Sequence, residues 1–215
     1  MRHSFLPLAA VLSAFLLFPG SSSAAIQDFD FSGNFQNDND VLLLNFTVGT
    51  QSNITIFSSS WDDGGFDPIL AIWDSAGIFV TGQDDGGNVG STLSNGVLYD
   101  HGTWDSYFSV NLASGSYTAS ITQYDNFWNG NNLSDGFTHD GNPNFTFDLG
   151  FGGATQPMFN GVWDSIDPRT SAWAFHILDV EDAGVVIPEP ATFIVWSLLG
   201  AIGVAAGLYR RRRAA

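Results

Sequence analysis

Short apolar or alternating runs, separated by turn-forming residues, make up the sequence between residues 26 and 187. Glycine, asparagine, aspartate and serine interrupt these runs. The chain has no lysine, and this segment has a single arginine, Arg169, and a single glutamate, Glu181. An amphipathic helix needs apolar residues at a spacing of about 3.6, and no useful length of this segment shows that spacing. The pattern therefore predicts strands joined by turns.

The predicted fold is all-β, an antiparallel β-sandwich of jelly-roll-like type, because many short strands with Gly/Asp turns are typical of that architecture. The tetrapeptide at residues 74–77 and the tripeptide at residues 113–115 are typical of hairpin turns. The polar stretches at residues 90–103 and 126–143 are predicted to be long loops. The predicted strands span residues 29–35, 41–48, 54–58, 69–73, 78–81, 107–112, 117–123, 145–149 and 172–180.

The charge distribution excludes one class of partner. Of the 22 acidic residues only Glu189 lies outside residues 26–187, and of the 6 basic residues only Arg169 lies inside, so this segment has 21 acids, 1 base and a net charge of −20. A surface this acidic repels phosphate backbones. We therefore expect no nucleic-acid partner.

Several kinds of catalytic and metal chemistry lack their residues. The chain has no cysteine, which excludes disulfides, thiolate catalysis and cysteine-bound zinc. It has no HExxH motif, no GxSxG elbow, no Walker loop and no GxGxxG motif. We expect no catalytic residues and a non-enzymatic, structural role. A polysaccharide hydrolase that uses two of the aspartates stays as an alternative.

The N-terminal 25 residues have the three parts of a secretory signal peptide. Arg2 supplies the basic start, residues 5–18 the apolar run, and small residues around Ala24 and Ala25 the cleavage site. The apolar run is too short to span a bilayer comfortably. We expect residues 1–25 to be removed on export, with cleavage after Ala24 or Ala25.

The C-terminal segment, residues 187–215, has a membrane-spanning pattern. Residues 191–209 carry no charge, and as a helix they would cover about 28 Å at ~1.5 Å per residue, close to the ~30 Å hydrocarbon core of a bilayer. Four arginines follow at once and are expected to remain cytoplasmic; they are Arg210, Arg211, Arg212 and Arg213. The segment between, residues 26–186, is thus predicted to be the exported domain, anchored in the inner membrane by its C-terminal helix.

The residues before this span add a third feature. Pro188-Glu189-Pro190 cannot be helical, so this motif is expected to stay extended and accessible at the membrane face. The motif, the apolar helix and the arginine cluster, in this order, resemble the PEP-CTERM sorting signal of Gram-negative bacteria. The resemblance implies recognition by an exosortase, a membrane-embedded processing enzyme. It also implies delivery to the cell envelope, the cell surface or an extracellular matrix rich in exopolysaccharide, as in a biofilm.

Part of the exported domain resembles a second family. Residues 40–123 are similar to the bacterial pre-peptidase C-terminal domain, a small β-sandwich of secreted proteins. The similarity lies in Asp67-Pro68-Ile69-Leu70 at the start of a strand and in the pair Asp84-Asp85 after the next. Residues 113–118 resemble the closing turn of that family, with serine at positions 114 and 116 as mild departures.

Aspartates are concentrated in two glycine-containing loops. If residues 69–81 form a hairpin, the two loops meet at one end of it, and like charges held close would repel unless neutralised. Ca²⁺ accepts about 6–8 oxygen ligands. We therefore expect a Ca²⁺ site, with Asp105, Asp125 and Asn126 as further candidates; solvated turn residues are the alternative. The expected ligands are Asp62, Asp63, Asp67, Asp84 and Asp85.

Three tryptophans in loops suggest a second function, namely a carbohydrate-binding module of the matrix. Trp61, Trp104 and Trp128 lie near aspartates and asparagines, and sugar recognition combines stacking on aromatic rings with polar hydrogen bonds. The alternative is that these side chains belong to the core. If they bind a ligand, a matrix polysaccharide is the expected partner.

Overall fold

The computed structural model describes residues 25–85, 87–148 and 169–186. Within these residues the chain forms eleven strands and one four-residue helix, α1 (Phe145–Asp148). The strands are β1 (Gln27–Asn34), β2 (Leu42–Val48), β3 (Ser52–Ser58), β4 (Pro68–Asp74), β5 (Phe79–Asp84), β6 (Gly90–Ser94), β7 (Val97–His101), β8 (Tyr107–Leu112), β9 (Gly115–Gln123), β10 (Ala172–Val180) and β11 (Asp182–Val185).

The strands form two larger sheets and one hairpin, and every strand pair is antiparallel. The four-stranded sheet has the order β1-β10-β3-β8, and the five-stranded sheet has the order β11-β2-β9-β4-β5. In the part of the chain that the structure describes, strands β6 and β7 pair only with each other. The all-β prediction is thereby confirmed for the described residues.

One hydrophobic cluster joins the two larger sheets. Ile56 and Phe175 come from the four-stranded sheet, whereas Phe46, Leu70 and Ile121 come from the five-stranded sheet, and all five are almost fully buried. In each strand these residues alternate with residues on the opposite face, as the period of two in a β-strand requires. Two antiparallel sheets that share one core are consistent with a β-sandwich.

The predicted strands agree with the structure except for residues 145–149, where α1 occupies residues 145–148 in place of the expected strand. The cause is a tertiary contact. The backbone N of Thr146 donates to the buried carboxylate of Asp38 at 3.3 Å, and Thr146 Oγ1 donates to the same carboxylate oxygen. Phe145 is itself buried. Strand β11, which follows β10 after one residue, has no counterpart in the prediction.

The two predicted hairpin turns have different outcomes. Residues 74–77 do connect the paired strands β4 and β5, and Asp74 Oδ1 accepts hydrogen bonds from the backbone N of Ala76 and of Ile78, both at 2.9 Å. Residues 113–115 instead connect β8, in the four-stranded sheet, to β9, in the other sheet. A short polar turn gives no information on whether the next strand stays in the same sheet.

The stretch at residues 90–103 contains the hairpin β6–β7, so the prediction of a long loop is wrong for most of it. Asn95 and Gly96 form its tip, with φ angles of 48° and 82°. An Asn-Gly pair with two positive φ angles is typical of the tightest hairpin turn. The Asn-Gly pair is visible in the sequence. The strands beside it were missed because they are not half-buried: Leu93 and Leu98 are exposed, so apolar residues do not mark a buried face.

The predicted loop at residues 126–143 has little regular structure, only the 3₁₀ helix Leu133–Asp135 and isolated bridges. Part of it packs against the outer face of the five-stranded sheet. Phe137 forms a small second core with Trp73, whose rings meet edge to face at 6.1 Å. Residues 126–143 therefore form a covering loop over the outer face of β4 and β5, where Trp73 and Phe79 lie.

Candidate functional site

The β4–β5 hairpin brings three carboxylates together. Asp67 immediately precedes β4, Asp84 ends β5, and Asp85 follows it. Because Ile69 is the sheet partner of Asp84, the end of β5 lies beside the start of β4. One carboxylate oxygen from each aspartate lies within 4.8 Å of the other two, and no other such group of acidic or histidine side chains occurs within the described residues.

The three carboxylates have unusual surroundings for charged groups. Asp67 is only 1% exposed, and Asp84 and Asp85 are half-buried. Within the described part of the chain, Oδ1 of each of the three has no hydrogen-bond partner. A buried carboxylate without a partner is costly unless it is protonated or bound to a cation.

The pKa values express this cost. Burial, followed by the charges of Asp84, Asp85 and Asp105, raises the pKa of Asp67 to about 9, although Arg169 opposes the shift. Burial and the charges of Asp85 and Asp125 raise the pKa of Asp84 to about 7. Burial raises the pKa of Asp85 as well. In the absence of a cation, Asp67 is therefore protonated at neutral pH.

Asp105 is close enough to raise the pKa of Asp67, but its own oxygens are occupied. Its carboxylate is buried and accepts four hydrogen bonds, between 2.8 and 3.3 Å long. It therefore organises the neighbouring turn and adds negative potential to the site. The donors are Ser58 Oγ and the backbone N of Trp61, Asp62 and Gly102.

Asp125 and Asn126, the other two candidates, follow β9. Asp125 adds negative charge near Asp84, and one of its oxygens lies 3.7 Å from Nε2 of His139. Asn126 is buried, and its side chain bonds the backbone N of His139 and the backbone O of Asn39. Asn126 thus anchors the covering loop.

Asp62 and Asp63 lie outside the cluster. The turn at residues 60–64 leaves both side chains exposed, and Asp63 Oδ2 accepts a hydrogen bond from Ser59 Oγ at 3.1 Å. Sequence proximity to Asp67 suggested a shared role. Asp67, however, lies directly before β4. Asp62 and Asp63 belong to the preceding turn, which places their side chains at the surface and outside the carboxylate cluster.

Two of the three tryptophans lie together. The rings of Trp61 and Trp104 are 5.9 Å apart, and Trp104 is 40% exposed. The guanidinium of Arg169 lies 3.3 Å above the ring of Trp61, which occupies that face of the ring. Trp128 instead stacks on Phe79 at 4.8 Å and belongs to the second core.

Gln123 was not predicted as a site residue. It is the sheet partner of Pro68, at the same end of β4 as Asp67. Its side chain is fully buried, and within the described residues neither of its amide atoms has a hydrogen-bond partner. Its amide oxygen is a neutral ligand atom of the kind that calcium binds beside carboxylates. In sequence it is only the polar end of a strand, so no local signal could have indicated it.

The residues assigned to sorting lie outside the described part of the chain: Pro188, Glu189, Pro190, Arg210, Arg211, Arg212 and Arg213. The same holds for residues 1–24 and for the predicted span at residues 191–209. In the ranges that are described, no helix is long and apolar enough to cross a membrane.

Comparisons with known proteins leave the chain without an assigned relative. The PEP-CTERM and pre-peptidase C-terminal resemblances therefore stay predictions from the sequence. The chain matches no family model, no curated protein and no solved structure.

Proposed function

We propose that the protein is an exported, calcium-binding β-sandwich of jelly-roll-like type, with a structural role at the cell surface or in the extracellular matrix. One observation carries the calcium proposal. Three carboxylates have an oxygen each within 4.8 Å of the others, each of these residues has an oxygen without a hydrogen-bond partner among the described residues, and one is almost fully buried.

The chemistry of this group favours calcium over other common ions. Its ligands are oxygens only, which suits hard cations and gives no preference to zinc or copper. Mg²⁺ demands near-ideal octahedral geometry and keeps several waters, whereas Ca²⁺ accepts irregular sets of 6–8 oxygens. A buried carboxylate such as Asp67 suits the ion that loses its waters more readily. An affinity of about 10⁻⁴–10⁻³ M, typical of extracellular modules, would suffice outside the cell.

The sorting part of the proposal is supported by the sequence of both ends. A signal peptide would start export, residues 191–209 would hold the chain in the inner membrane, and an exosortase-type enzyme would act at Pro188-Glu189-Pro190. The acidic exported domain would then remain at the surface or in the exopolysaccharide matrix.

Substitution of Glu189 by alanine, together with Pro188→Ala and Pro190→Ala, should retain the protein in the inner membrane at its unprocessed mass. The reason is that the processing enzyme would lose the motif it recognises. Fractionation and mass spectrometry of producing cells measure this. Full-length wild-type protein with both termini uncut in the cytosol would contradict export. A triple variant processed like the wild type would contradict only the role of the motif.

Trp104 favours a second candidate function, the carbohydrate-binding module. Its exposed ring lies next to Trp61, at the end of the fold where Asp105 approaches Asp67. On a glycan array, Trp104→Ala should reduce any specific signal about five- to thirtyfold, since stacking on one ring contributes about 1–2 kcal/mol. Asp100→Asn, on the exposed hairpin, is the control. A specific signal that Trp104→Ala leaves unchanged would exclude this platform.

A further inference from the structure

A serine, a histidine and an aspartate from three separate parts of the chain are connected by hydrogen bonds. Ser59 follows β3, His176 lies on β10 and Asp30 lies on β1. Ser59 Oγ is 3.1 Å from His176 Nε2, and His176 Nδ1 is 2.7 Å from Asp30 Oδ1. Asp30 is the sheet partner of His176, and Phe31 and Phe175, one residue away, pack into the main core. The three side chains therefore lie on the outer face of the four-stranded sheet.

The imidazole of His176 is held in place on both sides. The ring of Phe57, its sheet partner on β3, stacks on it at 4.4 Å, and the ring of Tyr99 on β7 lies 4.0 Å from it. Asn95, at the tip of the β6–β7 hairpin, donates to the second oxygen of Asp30 at 2.8 Å. The relative positions of Ser59, His176 and Asp30 are thus fixed by packing as well as by hydrogen bonds.

The protonation of His176 suits proton transfer. Burial lowers its pKa below the ordinary value of 6.5, although Asp30 and Asp63 oppose that shift and His101 reinforces it. The neutral ring donates from Nδ1 to Asp30, so Nε2 is the acceptor that faces the hydroxyl of Ser59. Asp63 Oδ2, also 3.1 Å from Ser59 Oγ, is a competing acceptor.

An open groove of about 270 Å³ lies beside these residues, although Ser59 and His176 are themselves almost fully buried and none of the three is among the residues that line it. Ser32 and Ala174 line it, and they lie two residues from Asp30 and His176 on the same sheet face. Asp63, which bonds Ser59, lines it as well. Its volume is near the lower end for ligand pockets, and Gly33 and Ala172 contribute little bulk to its walls.

We propose that Ser59 is the nucleophile of an acyl-transfer site for short-chain, electrically neutral esters. His176 is its general base, and Asp30 is a positioning residue that fixes the imidazole. The connectivity is that of a nucleophile, a base and a group that orients the base. The small groove limits the acyl chain, and Asp63 and the acidic surface disfavour anionic substrates. This activity is independent of the calcium site and goes beyond the proposed structural role.

The reaction balances with an ester and water. Ser59 Oγ attacks the ester carbonyl while its proton passes to His176 Nε2, and an Oγ–carbon bond forms. The ester's carbon–oxygen bond then breaks, and the leaving alkoxide takes the proton from His176. Water repeats the sequence on the acyl-serine, which releases the carboxylic acid and restores Ser59.

Covalent labelling of the full-length protein tests this proposal. A small fluorophosphonate forms a stable Oγ–phosphorus bond with an activated serine and releases fluoride, and mass spectrometry locates the bond. In the wild type we expect labelling at Ser59, with a rate that rises with pH through a value below 6.5 and then levels off. Para-nitrophenyl acetate should be hydrolysed in parallel; since the chain has no lysine, background acetylation is small.

Variants separate the roles of the neighbouring groups. Ser59→Ala should abolish labelling and hydrolysis, and His176→Gln should slow both about 10²–10⁴-fold, the usual contribution of a general base. Asp30→Asn should slow labelling and lower the pH at which it begins, because a negative charge that favours protonated His176 is removed. Asp63→Asn removes the competing acceptor and tests whether Asp63 is the base instead. Ser109→Ala, a change at an exposed serine of β8, is the control and should retain labelling.

Three outcomes would overturn the proposal. The first is wild-type protein that is unlabelled at Ser59, or labelled there no faster than heat-unfolded protein. The second is labelling that His176→Gln leaves unchanged. The third is loss of labelling in Asp63→Asn with retention in His176→Gln, which would make Asp63 the base. The wild-type pH profile needs no variant, so a variant that fails to fold leaves the test intact.

Discussion

Removal of calcium should lower the melting temperature of the protein, and the loss should be larger at pH 8.5 than at pH 5. The reason is the raised pKa of Asp67, about 9, and of Asp84, about 7. In the metal-free folded state these groups hold protons that the unfolded chain releases near pH 4. Stability therefore falls as the pH rises from about 4 through the folded pKa values. A bound cation removes this penalty, because it balances the charges that the protons would otherwise neutralise.

The size of the effect follows from ligand linkage. At a calcium concentration 100-fold above the dissociation constant, binding adds about 2.7 kcal/mol to the free energy of unfolding, or roughly 5–10 °C for a domain of this size. Thermal melts in excess chelator and in about 10 mM CaCl₂ measure it, if the dissociation constant is ~10⁻⁴ M. Magnesium at the same concentration is the control and should stabilise less. Identical melting temperatures with chelator and with calcium at pH 8.5 would contradict the site.

Asp67→Asn should raise the melting temperature of the metal-free protein at pH 8.5 and abolish the response to calcium. Asparagine keeps the shape of the side chain but removes a charge that burial and three neighbouring carboxylates oppose. The pKa of Asp67 lies about 5 above its ordinary value of 3.8, and each pKa unit corresponds to ~1.4 kcal/mol. The gain should therefore be at least about 2 kcal/mol, even after relaxation of the site.

Asp62→Asn is the matched control, because it removes an aspartate that the sequence assigned to the same site but that the structure leaves exposed. It should change neither the metal-free melting temperature nor the calcium response. Both are read from the melts described above. If Asp62→Asn removed the calcium response and Asp67→Asn kept it, the ion would bind in the turn before Asp67 instead.

The sequence predicted the part of the site that depends on local structure. The hairpin turn at residues 74–77 and the strands beside it were readable from their pattern, and a hairpin necessarily returns the chain to its starting end. That geometry is why Asp67 could be expected near Asp84 and Asp85. Most of the predicted strands could be located for the same reason, since alternation and turn residues are local signals.

The rest depends on contacts between distant parts of the chain. Whether Asp62 joins Asp67 depends on the turn between them, which Asp105 organises from 43 residues away. Helix α1 bonds Asp38 across 108 residues. Ser59 and His176 are 117 residues apart and share no motif. Tertiary packing decides such pairings, and one sequence contains no pattern that records them.

Direct calcium titration of the wild type, Asp67→Asn and Asp62→Asn by calorimetry at pH 7.5 tests the proposed metal centre most directly. The expected result is one ion per chain at the Asp67–Asp84–Asp85 cluster, with a dissociation constant of about 10⁻⁴–10⁻³ M. Binding should be lost in Asp67→Asn and unchanged in Asp62→Asn. No binding to the wild type, or equal binding to the wild type and Asp67→Asn, would contradict it.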